Sequence, residues 1–132
     1  WHKPNPMPES VRDRCTKSHE YVFLLSKNQN YYFDVDAIKE PTRRKRSVWS
    51  ITNKPYRGAH FAVFPPDLII PCIKAGSEKN DIILDPFMGS GTTALVAKEL
   101  GRYYIGCELH EEYGNLIQER VNDRKGTLEK FI

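Results

Sequence analysis

Residues 81–93, Asp-Ile-Ile-Leu-Asp-Pro-Phe-Met-Gly-Ser-Gly-Thr-Thr, constrain the fold more than any other part of the chain. Ile82, Ile83 and Leu84 form an apolar run of strand character that ends in a carboxylate, Asp85. Pro86 stops strand pairing, because it has no N–H to donate. Gly89-Ser90-Gly91 then turns the backbone tightly, and a helical pattern runs from Thr92 to Leu100. A strand ending in an acid, a glycine turn and a helix N-terminus together predict a ligand site, since the helix start offers unpaired N–H groups beside the turn.

The flanking segments extend this unit. Gly101 ends the helix, Tyr103 to Cys107 reads as a second strand ending at Glu108, and 111–123 reads as a helix with Tyr113, Leu116, Ile117 and Val121 on one face. Strand, helix, strand, helix at this spacing predicts parallel strands joined by a right-handed crossover. Upstream, a helix is expected to start at Pro66, where proline suits the first turn, and to run through Leu68, Ile69 and Ile70 to Ala75-Gly76. Pro71 is expected to bend or shorten it.

The first third reads differently. Residues up to Ser18 are rich in proline and charge and predict a loop or extended arm. Tyr21-Val22-Phe23-Leu24-Leu25 predicts a buried strand, Lys27–Asn30 a polar turn, and Tyr31-Tyr32-Phe33 a shorter returning strand. Residues 19–34 are therefore expected to form an antiparallel hairpin. Residues 35–47 contain four consecutive cations, Arg43-Arg44-Lys45-Arg46, without apolar periodicity, and predict an exposed loop. Ser47 to Ile51 reads as a short extended segment.

At 132 residues the chain is one domain's worth at most. It holds no apolar run near the roughly 20 residues of a membrane span. It opens on Trp1 rather than methionine, with no signal peptide, which suggests a truncated or processed beginning. Cys15, Cys72 and Cys107 are odd in number and widely spaced, so neither a disulfide framework nor a zinc site is expected. Cys72 and Cys107 read as buried small hydrophobes in a reducing, cytoplasmic setting. Residues 1–60 carry 12 Lys and Arg against 6 Asp and Glu, and residues 61–132 carry 8 against 11, so a basic half precedes an acidic one. The basic half permits a polyanionic partner.

Three ligand classes compete for the glycine turn. A phosphate-binding P-loop needs a lysine after its glycines, and none follows here. Gly89, Gly91 and Ala94 formally match the dinucleotide pattern Gly-x-Gly-x-x-Gly/Ala, but Asp85 would repel a pyrophosphate. S-adenosylmethionine fits better: Asp85 can meet its cationic amino group, and Glu108, 17 residues beyond Gly91, can take its ribose hydroxyls. Less specific roles compete at each position. Asp85 can simply cap the turn that follows it, and Glu108 can be a surface acid.

At this point the sequence resembles a family. Asp85-Pro86-Phe87-Met88-Gly89-Ser90-Gly91-Thr92-Thr93 is similar to the cofactor motif of DNA methyltransferases that modify exocyclic amines, adenine N6 or cytosine N4. Ser47-Val48-Trp49 and His60-Phe61-Ala62-Val63-Phe64-Pro65 resemble the segment preceding that motif in the circularly ordered beta group. Gly101-Arg102-Tyr103-Tyr104-Ile105-Gly106-Cys107-Glu108 resembles the second cofactor strand. Pro4–Ser10 and Thr16–Tyr21 resemble the group's middle region.

The resemblance implies an α/β, Rossmann-like methyltransferase fold with S-adenosylmethionine as cofactor and double-stranded DNA as partner, and neither metal nor membrane. By the same resemblance, Asp85, Pro86, Phe87, Gly89, Ser90, Gly91 and Thr92 would surround the methionine part of the cofactor. Glu108 would hold the ribose, and Phe64 and Pro65 would line the pocket. His60 reads as a packing or hydrogen-bonding histidine rather than a catalytic one. Arg43, Arg44, Lys45 and Arg46 fall where this group carries its target-recognition insert and would contact DNA phosphates. A merely solvated charge run is the competing reading.

One departure limits the resemblance. The family's catalytic motif, Asp/Asn/Ser-Pro-Pro-Tyr or Phe, is absent, because the sole Pro-Pro lies in Phe64-Pro65-Pro66-Asp67. No catalytic residue is therefore assigned. The chain reads as one partial domain, with an arm and hairpin over 1–34, a basic loop over 35–47 and a cofactor-binding part over 48–132. The central strands are expected to be missing and to belong to an N-terminal segment or second chain carrying the catalytic motif. The rival readings are a non-catalytic DNA- or protein-binding module on a degenerate fold and a nicotinamide-dependent oxidoreductase.

Overall fold

The computed structural model describes residues 1–53 and 63–122; His60, with Phe61 and Ala62 of the segment before Phe64, lies outside them. Helix α1 spans Pro66–Gly76, strand β1 Ile82–Asp85, helix α2 Thr92–Glu99, strand β2 Tyr103–Gly106 and helix α3 Glu111–Asn122. β1 and β2 pair in parallel, with Ile82 opposite Tyr103 and Asp85 opposite Gly106. The fold is thus α/β, with a two-stranded sheet among the described residues. None of the described helices is long and apolar enough to cross a membrane.

Helix α2 organises this half. Its Ala94, Val96 and Ala97 are wholly buried. Val96 and Ala97 pack with Ile73 of α1 and Ile83 of β1, while Ala94 packs with Met88, Ile117 and Val121. Tyr104 of β2 joins both clusters. Side chains alternate across a strand, so Ile83 and Tyr104 turn inward while Ile82, Leu84, Tyr103 and Ile105 are 54% to 65% exposed. One sheet face is covered by α2 and the other lies open.

Polar ties fix the helices at their ends. Arg102 donates to the Ser77 carbonyl at 2.6 Å, the Ser77 hydroxyl at 3.2 Å and the Leu100 carbonyl at 2.7 Å, joining the end of α1 to the end of α2. Lys98 donates to the Val121 carbonyl at 2.8 Å, tying α2 to α3. Pro66 occupies the first turn of α1, as expected, but the helix runs on through Pro71 over 11 residues rather than being shortened by it.

The expected hairpin over 19–34 does not form. Residues 21–25 and 31–33 make no ladder, and Phe23 and Leu25 are 76% and 87% exposed. Their β-propensity is real, but a strand needs a partner edge and a face to bury. Among the described residues nothing supplies either. Instead, the N-terminal tripeptide pairs with both neighbours: His2 bridges His19 in antiparallel fashion and Ser50 in parallel. The Trp1 indole donates to the Ile51 carbonyl at 2.7 Å. The extended reading of 47–51 agrees with this arrangement. Cys107 is exposed, contrary to the expected burial, because strand alternation puts it on the open face with Tyr103 and Ile105; Cys72 is half-buried.

Candidate cofactor site

The site is built where the two paired strands end. Backbone bonds lock the turn between them: Cys107 N donates to the Asp85 carbonyl at 3.0 Å and Met88 N to the Cys107 carbonyl at 2.9 Å. Gly91 N closes the turn on the Met88 carbonyl at 3.0 Å. Gly91 has φ of +80° and forms the N-cap of α2. A Cβ there would sit 3.1 Å from Ile117 Cγ1, so conformation and space both demand glycine. At Gly106 an added Cβ would overlap the Met88 side chain, which explains why the second strand ends in glycine.

Asp85 and Glu108 flank this turn. Asp85 Oδ1 accepts from Phe87 N at 2.9 Å, so the carboxylate does cap the turn. Its Oδ2 takes no hydrogen bond among the described residues, leaving one oxygen for a ligand. Glu108 accepts from Gly89 N through Oε2 at 2.8 Å and from His110 N through Oε1 at 2.9 Å. The His110 N–H chiefly, aided by the Gly89 and Leu109 N–H groups and against some burial, holds the Glu108 carboxyl below its ordinary value of 4.5. An ionised carboxylate offers about four lone-pair directions, so both backbone bonds leave capacity for ribose hydroxyls.

The other assigned residues divide by exposure. Pro86 and Phe87 are exposed at the mouth of the turn, and Gly89 is half-buried with φ of +54°. Ser90 and Thr92 are 4% and 3% exposed, and their hydroxyls accept from Arg120 of α3 at 2.9 and 3.1 Å. Pro65 is buried, and its carbonyl accepts from Leu68 N at 3.0 Å as α1 begins. Phe64 lines a groove of ≈ 420 Å³ with Asp85, Leu84, Ile83 and Thr93, so it does share a cavity with the strand-end acid.

The basic run lies away from these groups in the chain and is partly engaged. Glu40 and Arg43 form an isolated antiparallel bridge, and Arg43 Nε donates to Glu40 Oε2 at 2.6 Å. That bond lowers the Glu40 pKa. Lys45 lies 5.2 Å over the Trp49 ring. Arg44 and Arg46 make no ion pair among the described residues and stay exposed. Residues 35–47 are thus not a plain exposed loop: they begin with a 3-10 turn over Asp36–Ile38, followed by the tight Glu40–Arg43 turn.

Arg120 and Met88 were not singled out by sequence reasoning. The position of Met88 inside the turn was visible, but its packing under Gly106 was not. Arg120 carried no signal beyond its place in a helical pattern.

A parallel strand pair, a glycine-capped helix between its members and acids at both strand ends make an incomplete Rossmann-like α/β unit. A family described as DNA methylase matches residues 1–119, and the chain belongs to it. It is 52% identical to the type II methyltransferase M.SmaI of Serratia marcescens, over 95% of this chain and 45% of that protein. It is 47% identical to the type II methyltransferase M.XycI of Xanthomonas campestris pv. cyanopsidis, over 97% of this chain and 44% of that one. The chain therefore spans less than half the length of these relatives. Among solved structures it is similar to the crystal structure of the M1.HpyAVI–SAM complex, with a TM-score of 0.69, 32% identity and coverage of 92% of this chain and 58% of the other. The cytosine-N4-specific PvuII DNA methyltransferase gives a TM-score of 0.67 at 27% identity, over 80% and 41% of the two chains.

Proposed function

We propose that this chain is the S-adenosylmethionine-binding part of a site-specific, cytoplasmic DNA methyltransferase that modifies an exocyclic amine of adenine or cytosine. The observation that carries the reading is the pair of carboxylates, Asp85 and Glu108, brought to either flank of the glycine turn by the β1–β2 register. Asp85 Oδ2 would meet the ligand's ammonium group, and Glu108 its ribose. Ser90 and Thr92 would act through the shape of the turn, because their hydroxyls are already bonded to Arg120. Phe64 and Phe87 would supply apolar walls.

When bound, the cofactor supplies an electrophilic methyl on a sulfonium. Residues of this chain would fix the cofactor's position and exclude water. Orienting the amine falls to a Pro-Pro-aromatic motif that this sequence does not contain, so a further segment or second chain is the expected partner. Such a partner would cover the open face of Ile82, Leu84, Tyr103 and Ile105, because parallel sheets are buried on both faces. It would also give residues 21–25 a pairing edge. Arg44 and Arg46 are the members of the basic run best placed to contact DNA phosphates, since Arg43 is already paired with Glu40.

Isothermal titration with S-adenosylmethionine tests the site. Asp85→Ala should weaken binding by roughly 10-fold or more, the cost of a lost charged hydrogen bond. Unchanged affinity would remove the reading.

A further inference from the structure

The structure pins the glycine turn at two points from outside. On one flank Glu108 Oε2 holds Gly89 N at 2.8 Å. On the other, Arg120 Nη1 reaches the Ser90 carbonyl at 3.0 Å, the Ser90 hydroxyl at 2.9 Å and the Thr92 hydroxyl at 3.1 Å. Gly91 is wedged between these anchors against Ile117, one helical turn before Arg120. Ser90 and Thr92 are both almost fully buried, so their polar groups depend on this donor. Arg120 also opposes the rise that burial imposes on the Glu99 pKa, which places its charge near the end of α2.

We infer that Arg120 is a positioning residue of the cofactor site, holding the glycine turn in the shape that receives the amino-acid end of the ligand. The inference rests on the S-adenosylmethionine reading above and gives α3 a part in it. Arg120 acts through the turn, because its Nη1 is bonded to the Ser90 carbonyl and to the Ser90 and Thr92 hydroxyls. Without it, a carbonyl and two hydroxyls would be left buried without this donor. The turn would relieve them by opening toward solvent, which displaces the backbone between Asp85 and α2. The adenosine end, held by Glu108 through its own loop, would be disturbed less.

The test compares two probes: S-adenosylmethionine, and 5′-methylthioadenosine, which keeps the adenosine and sulfur but lacks the amino-acid end. With Arg120→Met, affinity for the first should fall on the order of 10-fold and affinity for the second by less than about 2-fold. Arg120→Lys should recover most of the loss. A purely structural role would lower the melting temperature and leave both affinities unchanged well below it; that result, or an equal loss for both probes, would overturn the inference. Should Arg120→Met fail to fold, Arg120→Gln carries the test, with an expected loss of roughly 3-fold for S-adenosylmethionine alone, and wild-type affinity would overturn it. Asp85→Ala run alongside separates the two claims. If that variant binds normally, or the unaltered chain does not bind, the site reading fails and this inference with it. If Asp85→Ala weakens binding and Arg120→Met does not, the positioning role alone fails.

Discussion

Residues 63–122 and residues 1–53 use their apolar side chains in opposite ways. In the later region α2 gathers two strands and two helices around Ala94, Val96 and Ala97. In the earlier region Tyr21, Phe23, Leu24 and Leu25 stay exposed, and the chain is held by a few backbone bridges around His2. The β1–α2–β2 unit pairs with itself, so its local signals suffice. A strand such as 21–25 acquires its structure from a neighbour. Between the two regions lies a groove of ≈ 380 Å³, lined by Tyr21, Phe23 and Trp49 on one side and by Pro71, Cys72 and Gly76 of α1 on the other.

Substitutions that strike the self-sufficient region should be the most damaging. Gly91→Val puts a β-branched side chain at φ of +80° and against Ile117, which should cost about 3 kcal/mol in denaturant unfolding. A loss near zero would mean the turn is not held as described.

Glu108 gives a smaller effect with a defined pH direction. Its carboxyl titrates below 4.5 in the folded chain, so the stability it contributes is present above that value and is lost as pH falls through the folded pKa. Glu108→Gln should flatten that acid limb of a melting-temperature profile. An unchanged limb would show that the Gly89 and His110 N–H bonds do not favour the charged form.

The least effect is expected in the other region. Leu25→Ser replaces a side chain that is 87% exposed, so unfolding free energy should move by no more than about 0.5 kcal/mol. A larger destabilisation would mean that 21–25 already packs on something in solution.

This contrast also explains what the sequence revealed. Helices α1, α2 and α3 and strands β1 and β2 were legible because Pro66, Gly91 and Gly101 mark their ends and each carries its own periodicity. Asp85 and Glu108 were legible as strand-end acids because each directly follows a strand-like run at the edge of a turn. Tyr21–Leu25 misled because alternation and propensity report what a segment can pair with, not whether the partner is there. Cys107 misled because nothing in β2 shows that the face it shares with Tyr103 and Ile105 lies open. Arg120 was invisible because its contacts lie about 30 residues away, and no local pattern encodes them.

The most direct measurement follows tritium from S-adenosyl-[methyl-³H]methionine incubated with this chain and double-stranded DNA. Label held by the protein, with none passed to the DNA, is the outcome expected of a cofactor site separated from its amine-orienting motif. Label appearing in the DNA with this chain as the sole protein, or no label retained at all, would contradict it.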